Sequence, residues 1–398
     1  MKHAFVFIEV FGCEGGIQSY IQDVLEAYAQ LANKRTSPYD SPYEQGSDDI
    51  QLDNIQQARD VSELRADVFL LRDRDSNHPL KGAPFTFHYF KSDRPMAERI
   101  RLTLSLATYL LRERPDHVFC GHIKLASMVS QLCRLFKIPY TVLTYGKEVW
   151  FELSPADKKA LAAADSLWTI SRYSRDLACK ANQISPDKFK MLPCVVDGQV
   201  FTPGTPPPAL VERYQLQGAR ILTTVARLWP GDIYKGVDVT IRALPTIAEK
   251  FPTVKYVVIG RGDDQPRLAQ LAKDLGVAER VVFAGFVPDE ALINHYRLAD
   301  VYVMPSKEGF GIVYLEAMAC GVPVIAGDDD GSADPVQDGR VGWQVPHRDP
   351  GAVAAACIEA LQGIDQRCEG KWLRQEALAK FSAPALVTQL EQLLSLSS

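Results

Sequence analysis

Two glutamates, Glu308 and Glu316, bracket Gly309, Phe310, Gly311, Ile312 and Val313 in a stretch whose flanks change character. Upstream, Val301-Tyr302-Val303-Met304 reads as a buried strand running into Pro305; downstream, Leu315-Glu316-Ala317-Met318-Ala319 reads as a helix. Glu308 is therefore expected in the strand-to-helix loop, and Glu316 about two turns along the helix. The first N–H groups of a helix lack intrahelical partners and carry the positive end of its dipole, so glycines there let a phosphate reach the backbone. A carboxylate on each side accepts hydrogen bonds from sugar hydroxyls. Phosphate plus two carboxylates suggests a nucleotide-sugar, although the bare spacing also suits an ordinary strand–loop–helix with a dipole-complementing acid.

Two cations match that chemistry. Arg227 ends the apolar run Ile221–Ala226, and Lys235 precedes a helix expected from Val237. At the carboxyl edge of a parallel sheet such a pair suits a diphosphate, the arginine bidentately and the lysine as a point charge. Gly12-Cys13-Glu14-Gly15-Gly16 follows the first strand, where glycine admits a phosphate or a sugar. It lacks the Gly-x-Gly-x-x-Gly spacing, so a dinucleotide fold of the dehydrogenase kind is not supported. His122 follows the strand His117–Cys120, again at a carboxyl end. Asp328-Asp329-Asp330 satisfies an Asp-x-Asp metal pattern but comes after the nucleotide-binding run. The Arg227–Lys235 pair already offers positive charge, so no metal is expected and the triplet reads as a hydrophilic loop.

The elements that must position these residues alternate as strand and helix. Strands are expected at Ala4–Ile8, Val68–Leu71, Phe85–Tyr89, His117–Cys120, Tyr140–Thr144 and Ser166–Ile170, with helices near 17–31, 95–114 and 124–136. Residues 33–62, rich in Ser, Asp and Gln, interrupt the rhythm as an insertion with one short helix near 53–63. Residues 197–218 carry Pro203, Pro206, Pro207 and Pro208 and read as an extended linker. The alternation restarts with strands at 221–226, 255–259, 281–284, 301–304 and 323–326. The fold class is α/β: two doubly wound Rossmann-like domains in tandem, 1–196 and 219–381.

Composition bounds the class. The chain has 398 residues, 46% hydrophobic and 23% charged, and a net charge of −5, which argues against a nucleic-acid partner. Outside 33–63, residues 1–200 hold 22 basic and 18 acidic side chains, a weak positive bias. Eight scattered cysteines form no Cys-x-x-Cys pair, which points to reduced thiols rather than zinc or iron–sulfur sites. With no apolar run of spanning length and no leader-like start, a cytoplasmic place is expected, with at most peripheral contact at the inner face of the plasma membrane. The run 95–114 carries Arg94, Arg99, Arg101, Arg112 and Arg114 beside a strong apolar face. It could seat on anionic lipid, but is expected to pack on the sheet as a core layer.

Five signals in order resemble the retaining glycosyltransferases of glycosyltransferase family 4 over nearly the whole chain. They are Gly15-Gly16, Arg227 with Lys235-Gly236, Gly260-Arg261-Gly262, the Glu308–Glu316 pair and Ala319-Cys320-Gly321-Val322-Pro323-Val324. The resemblance implies the GT-B architecture, with the donor site in the interdomain cleft and residues 382–398 crossing back onto the first domain. It implies Glu308 at the donor sugar's hydroxyls and Glu316 at the ribose, with N–H groups of Gly309 to Val313 on phosphate and sugar. Arg227 and Lys235 would hold the diphosphate, Gly15 and Gly16 would bind donor, Arg261 would lie near the nucleobase and Val287 would read its edge through backbone groups. His122 joins Glu308 as a catalytic candidate. Relatives often carry His where this chain has Tyr145, a departure expected to alter acceptor contacts.

The implied activity is retaining, metal-independent transfer of a hexosyl group from a nucleoside-diphosphate-sugar to an oligosaccharide or lipid-linked acceptor, in exopolysaccharide or cell-envelope polysaccharide synthesis. No cofactor is expected beyond the nucleotide-sugar co-substrate. Two other readings stay open: a nucleoside-diphosphate-sugar 2-epimerase, and a non-catalytic nucleotide-sugar-binding subunit.

Overall fold

A computed structural model describes residues 1–13, 15–36, 64–82 and 84–395. The expected short helix near 53–63 and most of the 33–62 insertion lie outside them. The chain divides into two compact units. Unit 1 comprises Met1–Ile170, Ser174–Leu192 and Leu386–Ser398; unit 2 comprises Ser171–Tyr173 and Pro193–Ala385.

Unit 1 is built from β1 (Lys2–Phe7), α1 (Gly16–Thr36), β2 (Arg65–Leu70), β3 (Phe85–Tyr89), α2 (Pro95–Glu113), β4 (His117–Cys120), α3 (Ile123–Phe136), β5 (Tyr140–Thr144), α4 (Pro155–Ala163), β6 (Ser166–Thr169), most of α5 (Arg172–Asn182) and β7 (Phe189–Met191). Its seven strands run in the order β3-β2-β1-β4-β5-β6-β7, and every pairing is parallel. Such strands are covered on both faces, which is why Ala4, Phe5, Val6 and Phe7 are all fully buried. α4 starts where the sequence signals it, with Ser154 accepting the Asp157 N–H and Pro155 in the first turn. α2 buries Leu102, Leu106 and Leu110 completely, as a core layer should, but leaves Leu104 and Leu111 exposed.

Unit 2 follows with α6 (Pro208–Arg213), β8 (Arg220–Val225), α7 (Val237–Lys250), β9 (Val254–Ile259), α8 (Gln265–Asp274), β10 (Val281–Gly285), α9 (Asp289–Tyr296), β11 (Val301–Met304), α10 (Ile312–Ala319), β12 (Val324–Gly327), β13 (Trp343–Val345), α11 (Pro350–Gln362) and α12 (Gly370–Phe381); α13 (Ala383–Ser395) is last, its residues from Leu386 counted with unit 1. The six strands run β10-β9-β8-β11-β12-β13, again parallel. The stretch expected as an extended linker is only partly extended. Its second half forms α6, and Tyr214 and Leu216 are buried against Val257 and Ile259 of the sheet.

Each sheet reverses strand order once, between β1 and β4 and between β8 and β11. Ligands of doubly wound sheets bind beyond the carboxyl ends of the strands at such a switch point. The glycine loop after β1, His122 after β4, Arg227 after β8 and Glu308 after β11 all occupy those places.

Candidate functional site

At the unit 2 switch point, a 3-10 segment of six residues, Pro230–Lys235, occupies most of the loop from Arg227 and ends on Lys235. Gly236 then turns the chain into α7 with φ of 76°, and a Cβ there would lie 2.5 Å from the Pro305 carbonyl oxygen. Only glycine suits both the positive φ and this close approach. Lys235 is thereby laid against the exit of β11, where its ammonium ion-pairs with the Glu308 carboxylate. The two side chains are 17% and 16% exposed. Apart from that ion pair, Glu308 Oε1 has no hydrogen-bond partner among the described residues, so acceptor capacity remains for a ligand's hydroxyls.

The loop is held from beneath by Asp330. Its Oδ2 accepts the Glu308 N–H at 2.6 Å, and its Oδ1 accepts the Ser332 N–H at 2.8 Å. The Glu308 carbonyl in turn accepts the Gly331 N–H at 2.8 Å. A Cβ on Gly331 would fall 2.0 Å from the Gly309 oxygen. This corrects the reading of 328–330 as a hydrophilic loop: Asp328 and Asp329 are exposed, but Asp330 is buried and structural. Burial raises its pKa to about 6. Among the described residues no group of three His, Cys, Asp or Glu side chains could hold a metal ion.

Phe310 anchors the glycine-rich turn, buried edge-on against Phe381 at 5.8 Å between ring centroids. Gly311 has φ of 89° and caps α10, which starts at Ile312 with Val313 next. Glu316 is the fifth residue of α10, hence one turn into the helix rather than two. The Tyr296 hydroxyl donates to its Oε2 at 2.5 Å. Burial lifts the Glu316 pKa to about 7 despite that hydrogen bond, with Asp289 adding a smaller upward push.

Arg227 is largely exposed. Its Nε lies 3.2 Å from Asp232 Oδ2 and its guanidinium 5.4 Å from the Trp229 ring centre. Tyr234 sits between the charges: burial foremost, then Glu308 and Asp232, push its pKa to about 12, while a hydrogen bond with Arg227 opposes them. Arg261 is fixed by two glycines whose Cβ atoms would strike the Ala226 and Leu228 carbonyls. The Arg261 carbonyl accepts the Leu228 N–H at 3.0 Å, and its guanidinium lies 4.8 Å from the centre of the exposed Phe286 ring. Val287 packs against the apolar cluster containing Ile259 and Leu298. Trp229 and Phe286, 58% and 61% exposed, are aromatic surfaces beside the candidate phosphate and base loops that sequence reasoning missed. Their signal was a large aromatic one or two residues beyond a strand-end residue.

In unit 1, Gly16 opens α1 and has free space around its Cβ position; the Gly15 carbonyl accepts the Ser19 N–H at 3.0 Å. Glu14 lies outside the described residues. His122 caps α3, its Nδ1 accepting the Lys124 N–H at 3.1 Å. Burial lowers the His122 pKa, so the ring is neutral near pH 7 and its proton lies on Nε2. The N-terminal ends of α1 and α3 share a cavity of about 290 Å³, whose lining includes Gln18, His122, three cations, Arg72, Arg99 and Lys124, and one acid, Glu9. Tyr145 is buried and donates to the Gly121 carbonyl at 2.6 Å. It braces the loop bearing His122.

Residues 219–363 match a family model described as glycosyl transferases group 1. The chain is 38% identical over 231 residues to a GDP-mannose-dependent alpha-(1-6)-phosphatidylinositol monomannoside mannosyltransferase of Mycolicibacterium smegmatis, covering 55% of this chain and 59% of that protein. It is 35% identical over 210 residues to a D-inositol 3-phosphate glycosyltransferase of Acidothermus cellulolyticus, covering 49% and 45%. The chain thus spans about half the length of these curated relatives. Among solved structures, Anabaena HepE in complex with UDP superposes with a TM-score of 0.71 at 18% identity, covering 99% of this chain and 100% of that one. The lipopolysaccharide outer core galactosyltransferase WaaB in its apo form gives 0.69 at 18%, covering all of both chains. At that identity the likeness concerns the fold alone. Residues 219–363 thus resemble glycosyl transferases group 1, and the chain has the two-domain α/β GT-B fold of these solved structures.

Proposed function

We propose that this chain transfers a hexosyl group from a nucleoside-diphosphate-sugar to a hydroxyl of a phosphorylated inositol or its lipid-linked form, with retention of configuration and without a metal ion. The observation that carries the reading is the Lys235–Glu308 ion pair at the unit 2 switch point, beside Arg227 and over the loop that Asp330 holds. A diphosphate is a stronger partner for Lys235 than one carboxylate, because it brings two or more charges. Donor binding would draw the ammonium to phosphate and free Glu308 to accept hydrogen bonds from the sugar. Lys235 and Arg227 then neutralise the departing diphosphate, the role a metal ion plays elsewhere. The bond from the anomeric carbon to the phosphate oxygen breaks, the acceptor oxygen bonds to that carbon on the same face, and its proton passes to the leaving phosphate. His122, neutral with its proton on Nε2, offers a hydrogen bond to a substrate hydroxyl.

The names of the curated relatives support GDP-mannose as donor and an inositol-based acceptor. Arg72, Arg99 and Lys124 around the unit 1 cavity supply the positive charge that an acceptor phosphate needs. The test is direct. The protein is incubated with GDP-mannose or other nucleotide-sugars and with inositol phosphate or phosphatidylinositol, in excess chelator, and products are read by mass spectrometry. A product one hexose heavier supports the reading; intact substrates with every donor contradict it.

A further inference from the structure

We propose that unit 1 carries a second small-molecule site, at the amino ends of its strands, that takes one neutral polyhydroxylated ring such as a monosaccharide or a cyclitol. His117 opens β4, Pro139 immediately precedes β5, and Asp165 and Ser166 stand at the start of β6. Together with Trp168, Lys190 and Leu393 of α13 they line a cavity of about 210 Å³. His122, Arg227 and Glu308 lie beyond the carboxyl ends of their strands, where doubly wound sheets hold their substrates. This cavity is at the other end of the unit 1 sheet, so its occupant is neither donor nor acceptor, and the site does not depend on the proposed activity. Its volume is below the roughly 300–1,000 Å³ of pockets for larger ligands, which suits a single ring.

The chemistry of the lining selects the ligand. His117 is 2% exposed, and its Nδ1 has no hydrogen-bond partner among the described residues. A polar atom this deeply buried is ordinarily hydrogen-bonded, so Nδ1 calls for a partner. Burial lowers the His117 pKa to about 4, so the ring is neutral near pH 7 and one nitrogen carries the proton. Its Nε2 lies 2.8 Å from Thr141 Oγ1, which lies 2.7 Å from Ser166 Oγ. This chain has two possible orderings. If Nε2 donates to Thr141 and Thr141 to Ser166, the cavity meets an acceptor at Nδ1 and a donor at Ser166. If Ser166 donates to Thr141 and Thr141 to Nε2, the two roles exchange. Either ordering offers one donor and one acceptor, and a ligand hydroxyl serves as both. Asp165 and Lys190 are exposed and opposite in sign, so neither an anion nor a cation is selected, while both groups bind hydroxyls. Asp165 Oδ2 accepts the Tyr140 N–H at 2.8 Å, which fixes the carboxylate and leaves Oδ1 for a ligand. Pro139, Trp168 and Leu393 supply apolar surface for the C–H faces of the ring.

The experiment labels the seven histidines of the full chain and follows their imidazole signals by nuclear magnetic resonance, in the absence of any nucleotide-sugar. The probes are glucose, mannose and myo-inositol, each at up to about 10 mM, a range that reaches the weak affinities of single rings. At least one of them is expected to shift the His117 signals saturably, whether or not those of His122 respond. Asp165→Asn and Lys190→Ala, both at exposed positions, should each weaken that binding roughly five-fold, as the loss of one hydrogen bond would. Leu393→Trp, which fills the cavity from α13, should abolish the shift. The shift itself is read in the wild type, so the test stands if a variant misfolds. The proposal is overturned if no probe moves the His117 signals, which would leave water as the cavity's occupant. It is equally overturned if His122 responds and His117 does not, because the probe then sits at the carboxyl-end cavity. Well-folded Asp165 and Lys190 variants that bind as the wild type does would also refute it.

Discussion

The Asp330 carboxylate holds the Glu308 backbone N–H at 2.6 Å, so the residue proposed to meet the donor sugar is positioned by a buried acid 22 places away in the chain. Replacing Asp330 with Ala would strand the partly buried N–H of Glu308 and the buried N–H of Ser332. An unmade buried hydrogen bond costs about 1–3 kcal/mol. The variant is expected to lose about 2 kcal/mol or more in urea unfolding and at least ten-fold in affinity for a nucleotide-sugar, as read by calorimetry. Unchanged affinity would show that the loop does not depend on this contact.

Glu316 and Asp330 give the protein a pH signature. Their folded pKa values, about 7 and about 6, lie above their ordinary values of 4.5 and 3.8. Both groups hold their protons more tightly folded than unfolded, so this contribution to stability is fully present below about pH 4. It is lost as pH rises through about 6 and about 7. Glu316→Gln should flatten the upper part of this profile in urea midpoints measured between pH 5 and pH 8. If the ribose hydroxyls donate to the ionised Glu316, donor affinity should run the other way and rise through pH 7. Glu316→Ala should weaken nucleotide binding by about 1.5–3 kcal/mol.

Turnover is expected to survive excess chelator. On the proposed reading Lys235 and Arg227 neutralise the diphosphate, the task a divalent ion performs elsewhere. Activity lost in chelator and restored by Mg²⁺ or Mn²⁺ would contradict this.

Acceptor choice is expected to lie in residues 1–196. The candidate donor residues from Arg227 to Glu316 all belong to unit 2, whereas His122 and the cationic cavity belong to unit 1. Grafting residues 1–196 onto the second domain of a relative with another acceptor should carry this chain's acceptor preference along. A product that follows the second domain would refute the assignment.

Most of this architecture was legible in the sequence, because parallel strands buried on both faces read as continuous apolar runs with glycine at their ends. β8, β9, β10 and β11 fall within a residue or so of the expected runs. What was not legible depended on contacts distant in sequence. Asp330 looked like one of three exposed acids, and only its hydrogen bonds to Glu308 and Ser332 distinguish it. Tyr145 stands where relatives often carry His, and nothing in its sequence neighbours shows that its hydroxyl is spent on the Gly121 carbonyl. β7 was missed: Phe189-Lys190-Met191 is three residues long and interrupted by a lysine. On α2 the sequence shows an apolar face, but it does not separate the residues that meet the sheet, such as Leu102 and Leu106, from those left exposed, such as Leu104 and Leu111.

The central claim is sugar transfer at the Lys235–Glu308 site, and one measurement reaches it most directly. Nuclear magnetic resonance can follow GDP-mannose and an inositol-based acceptor with the wild-type protein and with Lys235→Ala and Glu308→Gln. The account predicts release of nucleotide with a new glycoside of the donor's anomeric configuration, and at least a hundred-fold loss in both variants, roughly 2.7 kcal/mol of transition-state stabilisation. Conversion of the donor to its 2-epimer, binding with no turnover, or variants as active as the wild type would contradict it.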